Sequence, residues 1–503
     1  MKRDKREKLS AMIVSFMVSV LFMFNSPLHP CRVGESATDS SVFKAVALMM
    51  ERGYLPYKDT FDHKGPCIYL INYLGNKISY YTGVWILEVL GFAIVVYAMY
   101  KIARLSCSVF SSWLTILIAT SLMFEYFEGG NLTEEYAMPC IAISIYIFLD
   151  YLLNDNITKI RLILAGFCLG FVLMLRPNMI AVWIIFSIYI FIKGILSKEY
   201  AKLASLVGWF ILGICLIDGP IIMWFIAKGD LLWFWKDYIV FNGTYISDAK
   251  DTLLKSRFLS FRKFAGSPIF LLSFAGLFLS SLSSKKAGRA HEINMVYALF
   301  MVFASGLVAL SGREYAHYGM VLIPVVSYPL SLLFGEIEKF SKKANKSVCA
   351  IVFYTYLACM LFLPYWLLTA AKYMPTISEA GGRREIENNG VLCSVIKCVE
   401  ENTDVDEKIS VYGNWDIVYV LTKRTHATQY SYLPAVNDAG DIFEKDYFEQ
   451  LRQEQPRIIV VQKNNYNDSI LNFLNENKYT NIYKEDENDL QSAGVYCLRN
   501  ETE

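Results

Sequence analysis

Eleven long apolar stretches constrain this chain more than any other feature of its sequence. A helix of roughly 20 residues crosses a hydrocarbon layer about 30 Å thick, and each stretch has that length or nearly so. The stretches lie near residues 9–27, 84–104, 108–125, 136–153, 160–175, 178–194, 203–227, 267–283, 293–311, 317–335 and 347–369. One water-soluble core cannot bury so much apolar sequence, since 54% of the 503 residues are hydrophobic. The sequence therefore predicts an α-helical polytopic membrane protein with eleven transmembrane helices.

The basic residues between these stretches predict their orientation. Five lysine and arginine residues precede the first stretch, and the later loops on the same side carry two to four each. The short loops on the opposite side offer only Arg176 and Arg313. Because positively charged loops remain in the cytoplasm, we expect a multi-pass plasma-membrane protein with a cytoplasmic N-terminus and an extracytoplasmic C-terminus.

Charge is also distributed unevenly along the chain. The net charge of +1 gives no sign of nucleic-acid binding. Residues 370–503, however, contain 14 basic and 23 acidic residues. We therefore divide the sequence into a transmembrane domain at residues 1–369, which includes a first outer loop at 28–83, and an extracytoplasmic domain at residues 370–503.

The predicted extracytoplasmic domain has the pattern of a small α/β domain. Strand-like runs lie at Lys408–Tyr412, Thr428–Tyr432, Arg457–Gln462 and Val495–Arg499. Helical patterns lie near residues 383–402, 440–454 and 467–477. The first outer loop contains two amphipathic, helix-like runs, Ser41–Arg52 and Ile68–Tyr80, which suit helices at the membrane surface.

Carboxylates and a few cations gather on the predicted outer face. Asp39 comes shortly after the first apolar stretch, and the first outer loop continues with Asp59, Asp62, His63 and Lys64. The next outer loops contribute Glu134, Glu135, Arg176, Arg313 and His317. We therefore expect the chemistry of this protein on the outer side of the membrane.

These motifs resemble those of membrane glycosyltransferases of the type C fold, in the bacterial branch related to aminoarabinose transferases and protein O-mannosyltransferases. The resemblance covers residues 1 to about 335 and rests on Asp39, the Gly-x-x-Pro-Tyr-x-Asp motif at Gly53–Asp59, the segment His63–Pro66, the Glu134–Glu135 pair and the Arg176-Pro177-Asn178 turn. Two positions depart from the family pattern. Ser40 follows Asp39 where many relatives have a second acidic residue, and Lys64-Gly65-Pro66 stands in place of Lys-Pro-Pro.

The resemblance implies a glycosyltransferase that moves a hexosyl or pentosyl group from a polyprenyl-phosphate donor to an acceptor hydroxyl, with inversion of the anomeric centre. The acceptor is a glycan, a lipid or a protein of the cell envelope. Asp39 is then expected to be the catalytic base, and Lys64 and Arg176 to bind the donor phosphate. Four further residues are expected in the substrate site, namely Glu134, Glu135, Arg313 and His317. No cofactor is assigned, and a divalent metal is the alternative, with Asp59, Asp62 and His63 as its candidate ligands.

Each assignment has a simpler alternative. Asp39 also suits the N-cap of a helix, and Glu134 and Glu135 also suit the positive end of one. Lys64 and Arg176 also suit the membrane interface, where long cationic side chains reach towards water. The alternative function is a polytopic transporter or lipid flippase. The sequence lacks detectable repeated halves and concentrates its polar motifs on one face, which favours the transferase.

The charge pattern predicts that a topology reporter fused after Glu503 is active only outside the cytoplasm. The same reporter fused to the N-terminus is the control, and it is expected to be active only inside. A cytoplasmic signal from the C-terminal fusion would contradict the predicted orientation.

Overall fold

The structure is a computed structural model, and it describes residues 2–30, 38–243, 253–283, 288–343, 390–432, 440–462, 465–483 and 493–498. The predicted apolar stretch at 347–369 lies outside these residues. The chain divides into two compact units. The first unit, which we call the membrane unit, comprises residues 1–25, 87–223 and 251–374; the second, the outer unit, comprises 26–86, 224–250 and 375–503.

Long apolar helices make up the membrane unit, and each predicted stretch from 9–27 to 317–335 coincides with one. They are Lys2–Met23, Gly83–Ala103, Val109–Ser121, Met123–Tyr126, Thr133–Asn154, Lys159–Leu173, Ala181–Leu196, Tyr200–Lys228, Leu253–Ala265, Pro268–Ser283, Arg289–Val308 and Ile323–Lys343. Short 3-10 turns lie at Pro177–Met179, Ala309–Ser311 and Ala316–Leu322. The predicted fold class, a polytopic helical protein with a small α/β region, is confirmed.

The number of helices that meet the length and hydropathy of a membrane span is lower than predicted. Within the described residues there are six, or seven if the bent pair Leu254–Ala265 and Pro268–Ser283 forms one span. Two of the predicted spans form helices of only 15 and 16 residues, Lys159–Leu173 and Ala181–Leu196. The first predicted span, at 9–27, overlaps a helix that begins at Lys2 among charged residues. The hydropathy of the sequence predicts a full span at each of these three places. The apolar part of each helix is shorter than a full span.

Two helices of the membrane unit approach each other closely at a pair of glycines. A Cβ atom on Gly166 would meet the carbonyl oxygen of Phe210, and one on Gly213 would meet the carbonyl oxygen of Ile163. Small residues at such crossings allow helix backbones to touch, which is a common source of helix association in membranes. The helix Tyr200–Lys228 is otherwise little buried, so this crossing is a principal contact for it.

A five-stranded mixed sheet organises the outer unit. The strands are β1 (Lys408–Tyr412), β2 (Thr425–His426), β3 (Ile458–Val461), β4 (Tyr479–Asn481) and β5 (Gly494–Leu498), in the spatial order β2-β1-β3-β5-β4. β1 pairs in parallel with β2 and β3, whereas β5 pairs antiparallel with β3 and β4. The flanking helices are Thr38–Glu51, Pro66–Ile78, Leu231–Phe234, Gly390–Asn402, Ile417–Thr422, Gly440–Glu454 and Asp468–Glu476, with a π-helical turn at Trp235–Val240.

Alternate residues of the central strands face two separate hydrophobic clusters, as the pleat of a strand requires. Ile409 and Val460 face one cluster, which also contains Ala45, while Tyr412 and Val461 face the other, which also contains Phe61. The first outer loop thus contributes to both cores. The partition expected from the sequence placed this loop with the transmembrane helices, whereas the structure groups residues 26–86 with the C-terminal residues.

Three of the four strand-like runs contain strands, and the fourth does not. Residues 428–432 form a turn, in which the Thr428 hydroxyl donates to the Tyr430 carbonyl at 2.9 Å. The Gln429 carbonyl accepts from the backbone N–H of Phe61 at 2.7 Å instead of joining the sheet. The sequence also missed the short edge strand β4, whose burial falls from buried Tyr479 to exposed Asn481.

The glycine crossing predicts opposite effects for two glycine-to-alanine changes in one helix. Gly213→Ala is expected to destabilise the membrane unit by about 1–3 kcal/mol, because its Cβ overlaps backbone atoms that cannot move aside. At Gly208 no described atom lies within 4 Å of an added Cβ. Gly208→Ala is therefore expected to be neutral or stabilising by up to about 1 kcal/mol. Thermal unfolding in detergent measures both, and equal melting temperatures would contradict the crossing.

Candidate functional site

A tight turn in the first outer loop precedes the most polar segment of the outer unit. The Asp59 carboxylate accepts the backbone N–H of Leu55 at 2.7 Å, and the Tyr57 N–H donates to the Thr60 carbonyl at 2.8 Å. Tyr57 adopts a left-handed backbone conformation with φ of 68°. Asp59 is thus engaged within the turn, and the chain leaves the turn directly into Phe61, Asp62, His63 and Lys64.

Asp62 is the most heavily hydrogen-bonded carboxylate of this segment, and it is only 2% exposed. The hydroxyl of Tyr69 donates to one of its oxygens at 2.8 Å. The hydroxyl of Tyr432 and the backbone N–H of His63 donate to the other oxygen at 2.9 and 2.8 Å. Burial raises the pKa of Asp62, and the charge of Lys64 together with these hydrogen bonds offsets part of that rise.

His63 and Lys64 are held beside this carboxylate through their backbone and side chains. The Lys64 Nζ lies 3.0 Å from His63 Nε2. Because an ammonium group only donates, Nε2 accepts and the ring proton is assigned to Nδ1, which lies 3.5 Å from Asp62. Asn242 donates to the His63 carbonyl at 2.6 Å, and the Tyr57 hydroxyl donates to the Lys64 carbonyl at 2.7 Å.

Asp39 and Asp416 belong to the same electrostatic group. Asp39 lies in the first turn of the helix Thr38–Glu51 and is half-buried. Asp416 is fully buried beside the Ser431 hydroxyl, immediately before the helix Ile417–Thr422, which packs on the helix Thr38–Glu51. Burial raises the pKa of Asp416 to about 7, and the charges of Asp62 and Asp39 act in the same direction. We call Asp39, Asp62, Asp416, Tyr69 and Tyr432 the carboxylate centre.

Two more buried carboxylates lie nearby in the outer unit. Asp237 is 4% exposed, and burial raises its pKa to about 7, with smaller contributions from the charges of Asp230 and Asp62. Burial likewise raises the pKa of Asp230 to about 7. Neither oxygen of Asp230 has a hydrogen-bond partner among the described residues.

The membrane unit brings together Glu134 and Arg176 of the predicted substrate site. Their side chains form an ion pair, and Glu134 is 3% exposed. The Thr133 hydroxyl donates to the second Glu134 oxygen at 2.8 Å. The Arg176 guanidinium also lies over the Tyr318 ring, 4.3 Å from its centroid. A carboxylate and an aromatic face thus both contact the guanidinium.

His317 and Glu128 form a second pair in the membrane unit. His317 Nδ1 lies 2.6 Å from a Glu128 oxygen, and the backbone N–H of His317 donates to the same oxygen at 3.3 Å. Burial by itself would raise the pKa of Glu128, but the hydrogen bonds from His317 outweigh it and the pKa is lowered. Arg313 lies over the Tyr315 ring at 5.9 Å.

Glu135 is not grouped with Arg176. Its carboxylate accepts the backbone N–H of Asn131 at 2.9 Å, and Glu88 accepts the same N–H at 2.7 Å. Asn131 has a left-handed backbone with φ of 53°. The two buried glutamates thus fix the turn that precedes the helix Thr133–Asn154.

The candidate metal ligands do not converge in the residues that the structure describes, where no group of three or more His, Cys, Asp or Glu side chains is arranged to hold a metal ion. Asp59 is engaged by a backbone amide, and Asp62 by two phenols and an amide.

A cavity of about 460 Å³ lies at the C-terminal end of the helix Thr133–Asn154, whereas Glu134 lies at the N-terminal end. Its charged residues pair with one another. Arg289 contacts Asp155 at 2.5 Å, Lys193 contacts Glu292 at 2.6 Å, and Lys202 contacts Glu199 at 3.0 Å. None of the predicted site residues lines it.

The sequence missed the residues that are distant along the chain but close in the fold. Tyr432 and Asp416 lie more than 350 positions from Asp62, and no local pattern identifies them. Tyr69 lies in the amphipathic run Ile68–Tyr80, which the sequence pattern assigns to a helix at the membrane surface. The aromatic run Trp233–Tyr238 was the one available signal for Asp237, because a carboxylate among aromatic residues is unusual.

The whole chain has the fold of a solved aminoarabinose transferase. The crystal structure of ArnT from Cupriavidus metallidurans bound to undecaprenyl phosphate matches with a TM-score of 0.62 and 11% identity, over 98% of this chain and 97% of that one. The apo structure of the same protein matches with a TM-score of 0.59 and 10% identity, over the same shares of the two chains. The type C glycosyltransferase fold that the sequence motifs indicate is therefore confirmed.

No curated protein matches the chain. A family model described as the putative competence-induced protein Ccs4 N-terminal domain matches residues 1–380. This match covers most of the chain, including the first outer loop and every described helix of the membrane unit. The protein therefore belongs to the Ccs4 N-terminal domain family.

Proposed function

We propose that this protein is a membrane glycosyltransferase that moves a sugar from a polyprenyl-phosphate donor to an acceptor hydroxyl on the outer face. The observation that carries the proposal is the near full-length likeness of the fold to ArnT, which has been solved with undecaprenyl phosphate bound. The carboxylates of the outer unit and the cations beside them supply the groups that such a reaction needs. The sugar and the acceptor remain open.

Asp39 is the proposed catalytic base because it alone in the carboxylate centre combines a carboxylate with partial exposure. Asp62 and Asp416 are buried, and burial raises the pKa of each. In the proposed reaction an Asp39 oxygen takes the proton of the acceptor hydroxyl while the oxygen of that hydroxyl attacks the anomeric carbon. The bond from the anomeric carbon to the phosphate oxygen breaks, and the phosphate leaves with its electron pair. Attack from the opposite face inverts the anomeric centre.

Lys64 is the proposed ligand of the donor phosphate in the outer unit. A phosphate leaving group is already acidic and requires a cation rather than a proton donor. The Lys64 ammonium has three N–H donors, and His63 occupies one of them. Its backbone carbonyl accepts from the Tyr57 hydroxyl at 2.7 Å, so the side chain extends from a fixed point.

Arg176 is the proposed cation for the donor in the membrane unit. One of its terminal nitrogens contacts Glu134, and a guanidinium has five N–H donors in a fixed fork. Glu134 and Tyr318 hold this fork in place, which suits bidentate binding of a phosphate. Glu134 is then a residue that orients Arg176.

Asp39→Asn is expected to lower turnover by about 10²- to 10⁴-fold, the usual effect of losing a general base. Donor binding should change little, because the amide keeps the size of the side chain. Asp406→Asn is the matched control, since Asp406 is a highly exposed carboxylate of the same unit. Sugar transfer and equilibrium binding of the donor measure both effects. Turnover near that of the control would return Asp39 to a helix-capping role.

Lys64→Ala is expected to weaken binding of undecaprenyl phosphate by about 1.5–3 kcal/mol, the usual contribution of a hydrogen bond to a charged group. Arg176→Lys is expected to weaken it by a similar amount, because the ammonium keeps the charge beside Glu134 but loses the fork. Arg176→Ala is a poorer test, since it leaves the buried Glu134 unpaired.

Lys58→Ala serves as the control for Lys64, because Lys58 is an exposed lysine six residues earlier in the same loop. It should bind undecaprenyl phosphate as the wild type does. If Lys64→Ala and Arg176→Lys also matched the wild type, the proposed phosphate ligands would be wrong.

A further inference from the structure

We infer that the C-terminal α/β region completes the catalytic centre, with Tyr432 as a positioning residue that holds the Asp62 carboxylate and the adjoining His63. The inference rests on the proposed function and extends it, because the sequence assigned no role to this region. It follows from contacts that lie entirely within the outer unit.

The first support is the direct contact of Tyr432 with the polar segment of the first outer loop. Its hydroxyl donates to Asp62 Oδ1 at 2.9 Å and lies 3.5 Å from His63 Nδ1. The Tyr69 hydroxyl binds the other oxygen of Asp62. Tyr432 therefore supplies a side-chain donor to Oδ1, alongside the backbone N–H of His63.

The second support is a pair of hydrogen bonds from Gln429 that align the two segments, one through its backbone and one through its side chain. The Phe61 N–H donates to the Gln429 carbonyl at 2.7 Å, and the Gln429 side-chain amide donates to the Tyr57 carbonyl at 2.8 Å. These bonds place residues 429–432 alongside residues 57–62. The tyrosine hydroxyl thus reaches Asp62 from a segment that is itself hydrogen-bonded to Tyr57 and Phe61.

The Phe61 ring provides a hydrophobic anchor for the same arrangement. It is 2% exposed and contacts Tyr430, Tyr432 and Phe443 with ring centroids 5.7, 6.3 and 5.4 Å away. Aromatic pairs at such separations contribute beyond their buried area. The anchor explains why residues 429–432 form a turn against the loop rather than a strand of the sheet.

The hydroxyl of Tyr432 matters because the Asp62 carboxylate that it binds is buried. A carboxylate removed from water requires hydrogen bonds to each of its oxygens. Losing one donor costs free energy and also lets the carboxylate change its orientation. Asp62 adjoins His63 and Lys64, so a change in its rotamer displaces the proposed phosphate ligand. Asp39 also acts electrostatically on Tyr432, as Asp62 does.

Tyr430 offers a matched comparison, because it separates packing from hydrogen bonding. Its ring contacts Phe61 as that of Tyr432 does, but its hydroxyl donates to Asp446 at 2.6 Å, away from Asp62. Both Tyr432→Phe and Tyr430→Phe keep the ring and remove one hydroxyl. A purely structural role for the aromatic anchor predicts similar consequences for the two variants.

The test measures turnover, KM and hydrogen exchange in the full-length protein. Tyr432→Phe is expected to lower kcat by about 10- to 100-fold with little change in KM, as for a group displaced from its productive position. Backbone amides of residues 59–65 should exchange faster in this variant. Tyr430→Phe should resemble the wild type in both measurements. In the Asp62→Asn background, Tyr432→Phe should lower kcat no further, because the two residues act as one unit.

Two results would overturn the inference. One is that Tyr432→Phe and Tyr430→Phe have equal turnover and equal exchange, and the other is that Tyr432→Phe and Asp62→Asn reduce turnover independently. Failure of the proposed function would look different. A wild-type protein that transfers no sugar from any polyprenyl-phosphate donor would refute the catalytic role, whereas the exchange comparison would still decide whether Tyr432 holds the Asp62 segment.

Discussion

The arrangement of the outer unit depends on keeping the carboxylate of Asp62 buried and hydrogen-bonded. A carboxylate that is 2% exposed is costly unless polar groups replace the water that it loses. Tyr69, Tyr432 and the His63 amide provide that replacement, and Lys64 adds a compensating charge. Because Tyr432 comes from a distant part of the sequence, satisfying one carboxylate joins the first outer loop to the C-terminal region.

A similar constraint acts on Glu134 in the membrane unit. This carboxylate is 3% exposed and is neutralised by Arg176, whose guanidinium also rests on Tyr318. The ion pair fixes the direction of the Arg176 side chain, which follows the helix Lys159–Leu173. A cation held by a carboxylate and an aromatic ring is oriented before a ligand arrives, which lowers the entropic cost of binding.

The sequence predicted those features that arise from local pattern and composition. Apolar runs located the helices, and alternating apolar residues located β1, β3 and β5. Glu134 and Arg176 were both assigned to the substrate site, but their ion pair was not predicted, because 42 residues separate them. Tyr432 was read as part of a strand, since nothing in residues 428–432 reveals a partner near residue 62. Among the described residues fewer helices than predicted have the length of a membrane span, because hydropathy does not indicate where each helix ends.

The most direct test of the account is sugar transfer by the purified full-length protein. A panel of radiolabelled undecaprenyl-phosphate sugars, incubated with membrane extracts as a source of acceptor, measures it. The account predicts that label from at least one donor reaches an acceptor with inverted anomeric configuration, and that Asp39→Asn abolishes most of this transfer. No transfer above a protein-free control, with donor binding absent as well, would contradict the assignment of this protein as a polyprenyl-phosphate-dependent glycosyltransferase.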